Sequence, residues 1–440
     1  MNTLLKNSTD FQIEGGKKLS GSIRTGYSKN GSVGLLCASL LNRDTTTLQG
    51  IARIEEVNRV IEILESIGVK VSWTGEHSLE INPPESFDLS NINKDSAIKT
   101  RSILMVIGPL IHFLKSFNIP HAEGCNLGKR TIAAHSYALE ELGVKIKVTH
   151  DEYVVTHSGL SAGEIVMYEA GDTPTENILM AAALIPGQTT VKFTSSNYMV
   201  QELCFFLEKC GVKIEGIGTS TLVIHGVESI NKKIEYHNSE DPIESMTLIA
   251  AAIATDSKLT ITHAPIDFLE LELYKLFKMG LKYEILKKYI SDNGHTNLVD
   301  IVIHPSEFIA LDDKIHANPF PGINMDNLPY FVIPAMKATG ETLLHDWTYE
   351  NRAIYLTELS KMGANLKLAD PHRLYIQGGY KLNPAEIVCP PALRPSMVIM
   401  LAMLSAPGTS ILRNVYMINR GYEDIVKRLN SIGADIKILE

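Results

Sequence analysis

Few residues in this chain could do chemistry, and their setting decides what they do. Cys125 lies in AEGCNLGKR (122–130), between Gly124 and Gly128 and ahead of Lys129 and Arg130. Such a loop leaves a thiol accessible, and nearby cations favour the reactive thiolate. Glu123 opposes that effect, and most free cysteines are inert core residues, so these nine residues allow either role. In SKNGS (28–32), Lys29 and Asn30 stand where a strand gives way to an apolar helix, a place suited to an anion. The GxxxxGK[ST] spacing of a P-loop is absent, and a lysine solvated in a turn fits these residues equally well. Arg101, Arg352, Arg394 and Arg420 each open or precede an apolar helix. A helix N-terminus is a poor place for a cation unless an anion answers both, so their recurrence predicts a multi-anionic ligand. Asp326, in PFPGINMDNLPYF, precedes another apolar helix, where a helix cap is the plainest role.

The elements that must position these residues are written as a repeat. A helix end followed by a strand recurs as LESIGVKV, LEELGVKI, LEKCGVKI, LFKMGLKY, LSKMGANL and LNSIGADI, with glycines at 68, 143, 211, 280, 363 and 433. Leucine closes an amphipathic helix, glycine takes the left-handed turn, and an alternating strand begins. A second module, an alanine-rich helix, a polar turn and a short strand, accompanies many units, as in AAALIPGQTTVKF (181–193) and MLSAPGTSILRN (403–414). Units of about 70 residues fit compact lobes better than a thin solenoid. The expected fold is mixed α/β in two lobes, with a ligand cleft between them. The segments 11–25 and 234–245 are the expected hinge strands.

Length and composition set the remaining bounds. At 440 residues the chain exceeds one hydrophobic core, and its 45% hydrophobic and 21% charged composition is that of an ordinary soluble protein. A net charge of −9, with Lys and Arg scattered throughout, predicts no nucleic-acid surface. No apolar run reaches the roughly 18–20 residues of a membrane span, and no signal peptide is read at the N-terminus. The five cysteines form no CxxC pair and no HxxxH occurs, so neither a zinc site nor a disulfide framework is expected. A cytoplasmic protein without cofactor is the expectation.

Taken together, the motifs SKN, RSILMVIGPL, GCNLGKR with the following His135, TENILMAAAL, YENR with ELSKMGA, and INRGYE resemble the enolpyruvyl transferase family. Within it, the likeness is greatest to the branch acting on UDP-N-acetylglucosamine, and it runs nearly end to end. The resemblance implies a two-lobed inside-out α/β barrel of six repeats, three per lobe. Residues 1–28 with 241–440 would form one lobe, and 29–240 the other. It implies transfer of the enolpyruvyl group of phosphoenolpyruvate to a sugar hydroxyl, by addition and elimination with phosphate release. Such chemistry needs an acid for the methylene, a base for the hydroxyl, and cations for phosphate and carboxylate.

By resemblance, Cys125 is the acid, a possible site of a covalent phosphoenolpyruvate adduct and the target of fosfomycin. Lys29, with Asn30, Arg130 and Arg420, holds phosphoenolpyruvate; Arg101 and Arg394 add cations around the cleft. Asp326 is the base. Asp241 and Glu244 fall on a hinge-side acidic motif. Thr131, Ile132, Gly171, Asp172, Thr348 and Arg352 fall where the family contacts the sugar nucleotide. Departures cluster on that acceptor side: RTIAAH replaces a run with proline and aspartate, and GDTP stands in place of the diphosphate loop. Asn197 and Met199 replace two glutamates, Ala392 replaces an aspartate, and Pro242 replaces an arginine. A carboxylate near two phosphates would cost affinity. Transfer to another nucleotide or sugar nucleotide is therefore the alternative, followed by an inactive nucleotide-binding paralogue.

Overall fold

The computed structural model describes residues 9–121 and 131–439. Its strands form six sheets, five of four strands and one of three. Three sheets draw only on residues between Thr46 and His237, and three on residues 10–24 together with 259–439. The chain thus begins in the second group. Asp10–Gly15 pairs antiparallel with Gly408–Arg413 and with Ile436–Leu439, and Ser22–Arg24 runs parallel to Leu259–Pro265.

The layering is inside-out, and composition explains it. Strands alternate buried and accessible positions, as in Thr46–Gln49, so each sheet has one apolar face. Beside the amphipathic helices, other helices are buried on all sides: every residue of Pro242–Ala254 is buried, as are positions 394–404 of Leu393–Ser405. A helix hydrophobic all round must sit inside. Alanine, glycine and serine let these helices approach closely, which accounts for the alanine-rich runs.

All six repeat glycines have positive φ, from 87° at Gly363 to 112° at Gly280. At Gly280 a Cβ would also stand 2.3 Å from the carbonyl oxygen of Glu307, so the turn and the close approach both exclude a side chain.

The lobes are joined by two adjacent passages. Ser28 donates its backbone N–H to Ser239 at 2.8 Å, Asp241 donates to Gly26 at 2.9 Å, and Tyr27 bridges Glu240. Beside them, the turn between strands Lys282–Ile290 and Asn297–His304 reaches across to helix Tyr198–Cys210. Asn293 Nδ2 donates to Glu202 Oε2 at 3.1 Å, and the His295 ring stacks on Phe205 at 4.0 Å. Ser291 Oγ donates to Glu240 Oε2 at 2.8 Å.

Burial pushes the Glu202 carboxyl up to about 7, against the hydrogen bonds from Tyr236 and Asn293. A carboxyl raised in the folded state adds stability below its unfolded value, and that stability is lost as pH rises through about 7. Glu202→Gln is therefore expected to exceed the native chain in unfolding free energy by about 1–3 kcal/mol near pH 8, and by less near pH 5. Denaturant melts at the two pH values check this; parallel pH dependences for both chains would refute it.

Candidate active site

The helix starts at the passages deliver Lys29. Ser28 caps helix Lys29–Ala38 by accepting from Gly31 N–H. Asp241 caps helix Pro242–Ala254, accepting from Ile243 and Glu244, and also accepts the Lys29 backbone N–H at 3.1 Å. One carboxylate therefore fixes two helix starts, one on each side of the passage. Glu244 accepts from Gly26 N–H at 2.7 Å and from Arg428 at 2.6 Å. The two acidic residues of DPIE hold the joint together.

Lys29 lines a cavity of about 150 Å³ with Glu56, Asp326, Arg352, Arg394 and Arg420, among others. Five of the residues singled out in the sequence thus come together: Lys29, Asp326, Arg352, Arg394 and Arg420. Asp326 is no helix cap. Its backbone N–H donates to Asn324 Oδ1 at 2.9 Å, and Glu272 holds the turn by accepting from Asn324 N–H and Asn327 Nδ2, each at 2.9 Å. The carboxylate is thereby freed to face the arginines. Arg394 donates to Asp326 Oδ2 from Nε at 3.1 Å and Nη2 at 2.9 Å, while Arg352 Nη1 lies 3.6 Å from Oδ1.

These charges control one another. Burial alone would raise Asp326, but Arg394 above all, then Arg352 and Lys29, hold its carboxyl below the usual range. Burial lowers the Lys29 ammonium; Glu56 opposes this, and Arg420 and Arg394 add to it. Glu56 sits at about 2 despite burial because Lys29 and Arg420 face it. Its partners span the cleft: Arg420 Nε and the Thr100 hydroxyl both donate to it at 2.5 Å. Arg420 follows the short helix Tyr416–Asn419, so it sits at a C-terminal end that favours a cation, unlike the N-terminal placing expected of it.

Sequence reasoning missed Glu56, although a signal existed. It lies one turn before Val60 on the buried face of helix Glu55–Ser66, where a lone carboxylate needs a cation. Tyr422 was missed likewise; its hydroxyl accepts from Arg394 Nη1 at 2.8 Å.

The other expected site residues lie elsewhere. Asn30 Nδ2 donates to the Tyr198 hydroxyl at 3.0 Å. Arg101 Nη2 donates to the Thr131 carbonyl at 2.8 Å, and Ile132 is the buried residue before helix Ala133–Glu140. Gly171 precedes helix Asp172–Ala183. Asp172 accepts from Ser195 Oγ at 2.5 Å and Asn197 Nδ2 at 3.2 Å, and burial raises its carboxyl. Thr348 keeps a buried hydroxyl without a hydrogen-bond partner. Cys125 and Arg130 lie outside the described residues.

Four buried or partly buried cations beside two carboxylates, contributed by both lobes, can bind a small polyanion and move a proton beside it. No group of three or more His, Cys, Asp or Glu among the described residues could hold a metal ion. No helix there is long and apolar enough to cross a membrane.

The family described as EPSP synthase (3-phosphoshikimate 1-carboxyvinyltransferase) matches residues 13–429. The UDP-N-acetylglucosamine 1-carboxyvinyltransferase of Bradyrhizobium diazoefficiens is 32% identical over 434 residues, covering 97% of each chain. That of Campylobacter hominis is 33% identical over 430 residues, covering 97% of this chain and 99% of its own. Among solved structures, the enolpyruvyl transferase NikO from Streptomyces tendae superposes with a TM-score of 0.84 at 23% identity, covering 98% of this chain and 99% of its own. EPSP synthase from Acinetobacter baumannii gives 0.77 at 17% identity, covering 99% and 100%. At these identities, the two structures show a shared fold.

Proposed function

The chain belongs to the EPSP synthase family of enolpyruvyl transferases, and from that membership we propose that it transfers the enolpyruvyl group of phosphoenolpyruvate to a hydroxyl of UDP-N-acetylglucosamine. That places it at the first committed step of peptidoglycan precursor synthesis, in the cytoplasm. The observation that carries the reading is the cavity that Lys29, Arg352, Arg394 and Arg420 line together with Asp326. The near full-length relatives named for UDP-N-acetylglucosamine support the acceptor.

The steps follow from the charges. Lys29, Arg420 and Arg394 neutralise the phosphate and carboxylate of phosphoenolpyruvate, which would otherwise repel an incoming oxygen. A proton enters the methylene carbon, C2 becomes electrophilic, and the acceptor oxygen bonds to it as Asp326 takes the hydroxyl proton. Asp326 is too weak a base to ionise a resting hydroxyl, so proton transfer accompanies C–O bond formation. In the second step the C–O bond to phosphate breaks and the new methyl group returns a proton, restoring the double bond. Cys125 is the acid that the resemblance assigns.

Asp172 is the residue that argues for a different acceptor. Its carboxylate is engaged by Ser195 and Asn197 and raised by burial, which mutes the repulsion a diphosphate would meet. Phosphate release from phosphoenolpyruvate, measured with UDP-N-acetylglucosamine and with other uridine nucleotides, tests the reading. Turnover with UDP-N-acetylglucosamine is expected; turnover only with another nucleotide would replace the acceptor and keep the chemistry.

A further inference from the structure

Arg352 is the largest fully buried side chain in the described structure, at 1% exposure, and it stands between two carboxylates. Asp346, also 1% exposed, takes two of its three nitrogens: Nε donates to Oδ2 at 2.5 Å and Nη2 to Oδ1 at 2.9 Å. The third nitrogen, Nη1, makes no hydrogen bond and stops 3.6 Å from Asp326 Oδ1. The Tyr349 ring lies 4.3 Å from the guanidinium carbon and closes one face.

Asp346 is itself anchored on both sides of its peptide. Its N–H donates to the His372 carbonyl at 2.7 Å, and its carbonyl accepts from His372 Nδ1 at 2.9 Å. It directly follows strand Glu341–His345, so it is fixed to the sheet and cannot follow a moving arginine. Arg394 meanwhile occupies Asp326 Oδ2 twice, which leaves Oδ1 as the oxygen able to accept a proton. A buried guanidinium with an unused N–H would close on the nearest carboxylate oxygen if nothing restrained it.

We propose that Asp346 is a positioning residue: by gripping Arg352 with two hydrogen bonds it holds that cation off Asp326 and keeps Oδ1 open to the acceptor hydroxyl. The inference rests on the reading that Asp326 takes the hydroxyl proton. Without the grip, Arg352 swings onto Oδ1 and the base becomes a closed ion pair on both oxygens.

The test is the pH profile of turnover, followed as phosphate release from phosphoenolpyruvate with UDP-N-acetylglucosamine. The unaltered enzyme comes first, because absence of turnover there defeats the functional reading and not this inference. Asp326 is faced by Arg394, Arg352 and Lys29 and, with opposite sign, by Asp172, with the Tyr198 hydroxyl also nearby. Arg352 is faced by Asp346, Tyr349 and Asp326. Asp346→Asn leaves all but one of these in place.

It is expected to lower kcat about tenfold or more, to change the KM for phosphoenolpyruvate by less than about threefold, and to move the acid limb to lower pH. Asp346→Asn with Arg352→Gln removes both charges, and its acid limb is expected above that of the unaltered enzyme. Loss of the Asp346 charge alone would lower the limb slightly and leave kcat near native, so the lowered limb together with the fall in kcat is the signature of a released cation. An acid limb that stays in place or rises in Asp346→Asn overturns the proposal. Should that variant fail to fold, Asp346→Glu decides, because it keeps the charge but its extra methylene pushes the guanidinium toward Asp326: a lower kcat with a lowered acid limb supports the proposal, and native values of both overturn it.

Discussion

Asp326→Asn is expected to cut kcat by about 10²–10⁴ while leaving the chain folded, because it removes the proposed base and little else. Arg394 keeps the Tyr422 hydroxyl and Arg352 keeps Asp346, so neither buried cation is stranded. Asparagine fits the same space and its carbonyl can still accept from Arg394. The KM for phosphoenolpyruvate should therefore change far less than kcat. A second consequence follows from the lowered carboxyl: the native enzyme keeps its base ionised well into acid solution, and its rate falls only below that range. The residual rate of the variant should lack that acid limb. Steady-state kinetics across pH check both statements. A variant with native kcat would remove Asp326 from the chemistry, whatever its neighbours.

Glu56→Gln is expected to damage stability and catalysis together. The native carboxylate is buried and bonded to Arg420 across the cleft, so breaking the pair should cost about 3 kcal/mol, the low end for buried pairs, since Arg420 retains some exposure. Thr100 keeps an acceptor, which limits the loss. The catalytic effect runs through Lys29. Burial lowers that ammonium, and Glu56 is the leading influence that holds it up. With glutamine in place, the lysine loses its proton at lower pH, so the basic limb of kcat/KM should move to lower pH. Affinity for phosphoenolpyruvate should fall with it, by about tenfold or more near neutral pH. Denaturant melts and the pH dependence of kcat/KM measure the two effects. A stable variant with an unmoved basic limb would mean that Glu56 neither ties the lobes nor charges Lys29.

What the sequence made legible was governed by local rules. A glycine after an amphipathic helix says where a left-handed turn must fall, and all six did. Lys29, Arg394 and Arg352 were visible because cations at helix starts ask for an anion. The site's second layer was not legible. Glu56 reads as one of two adjacent glutamates until its helix is turned so that the second faces inward. Asp346 follows a strand end like any surface aspartate, and only the fold brings His372 and Arg352 against it. Asp326 shows the limit in the other direction. Its local setting predicted a cap, but Glu272, fifty-four residues away, shapes the turn and leaves the carboxylate free. Asp172 looked like a charge set against the ligand, and Ser195 and Asn197 answer it. Contacts between distant segments decide these cases, and no local spacing encodes them.

The most direct test of the account is the reaction run in deuterium oxide with phosphoenolpyruvate and UDP-N-acetylglucosamine. Addition followed by elimination passes through a methyl group that takes one hydrogen from solvent and then gives one back. The account predicts released phosphate together with deuterium in the vinyl methylene of the enolpyruvyl product. Product with an unlabelled methylene, or no phosphate release at all, would contradict it.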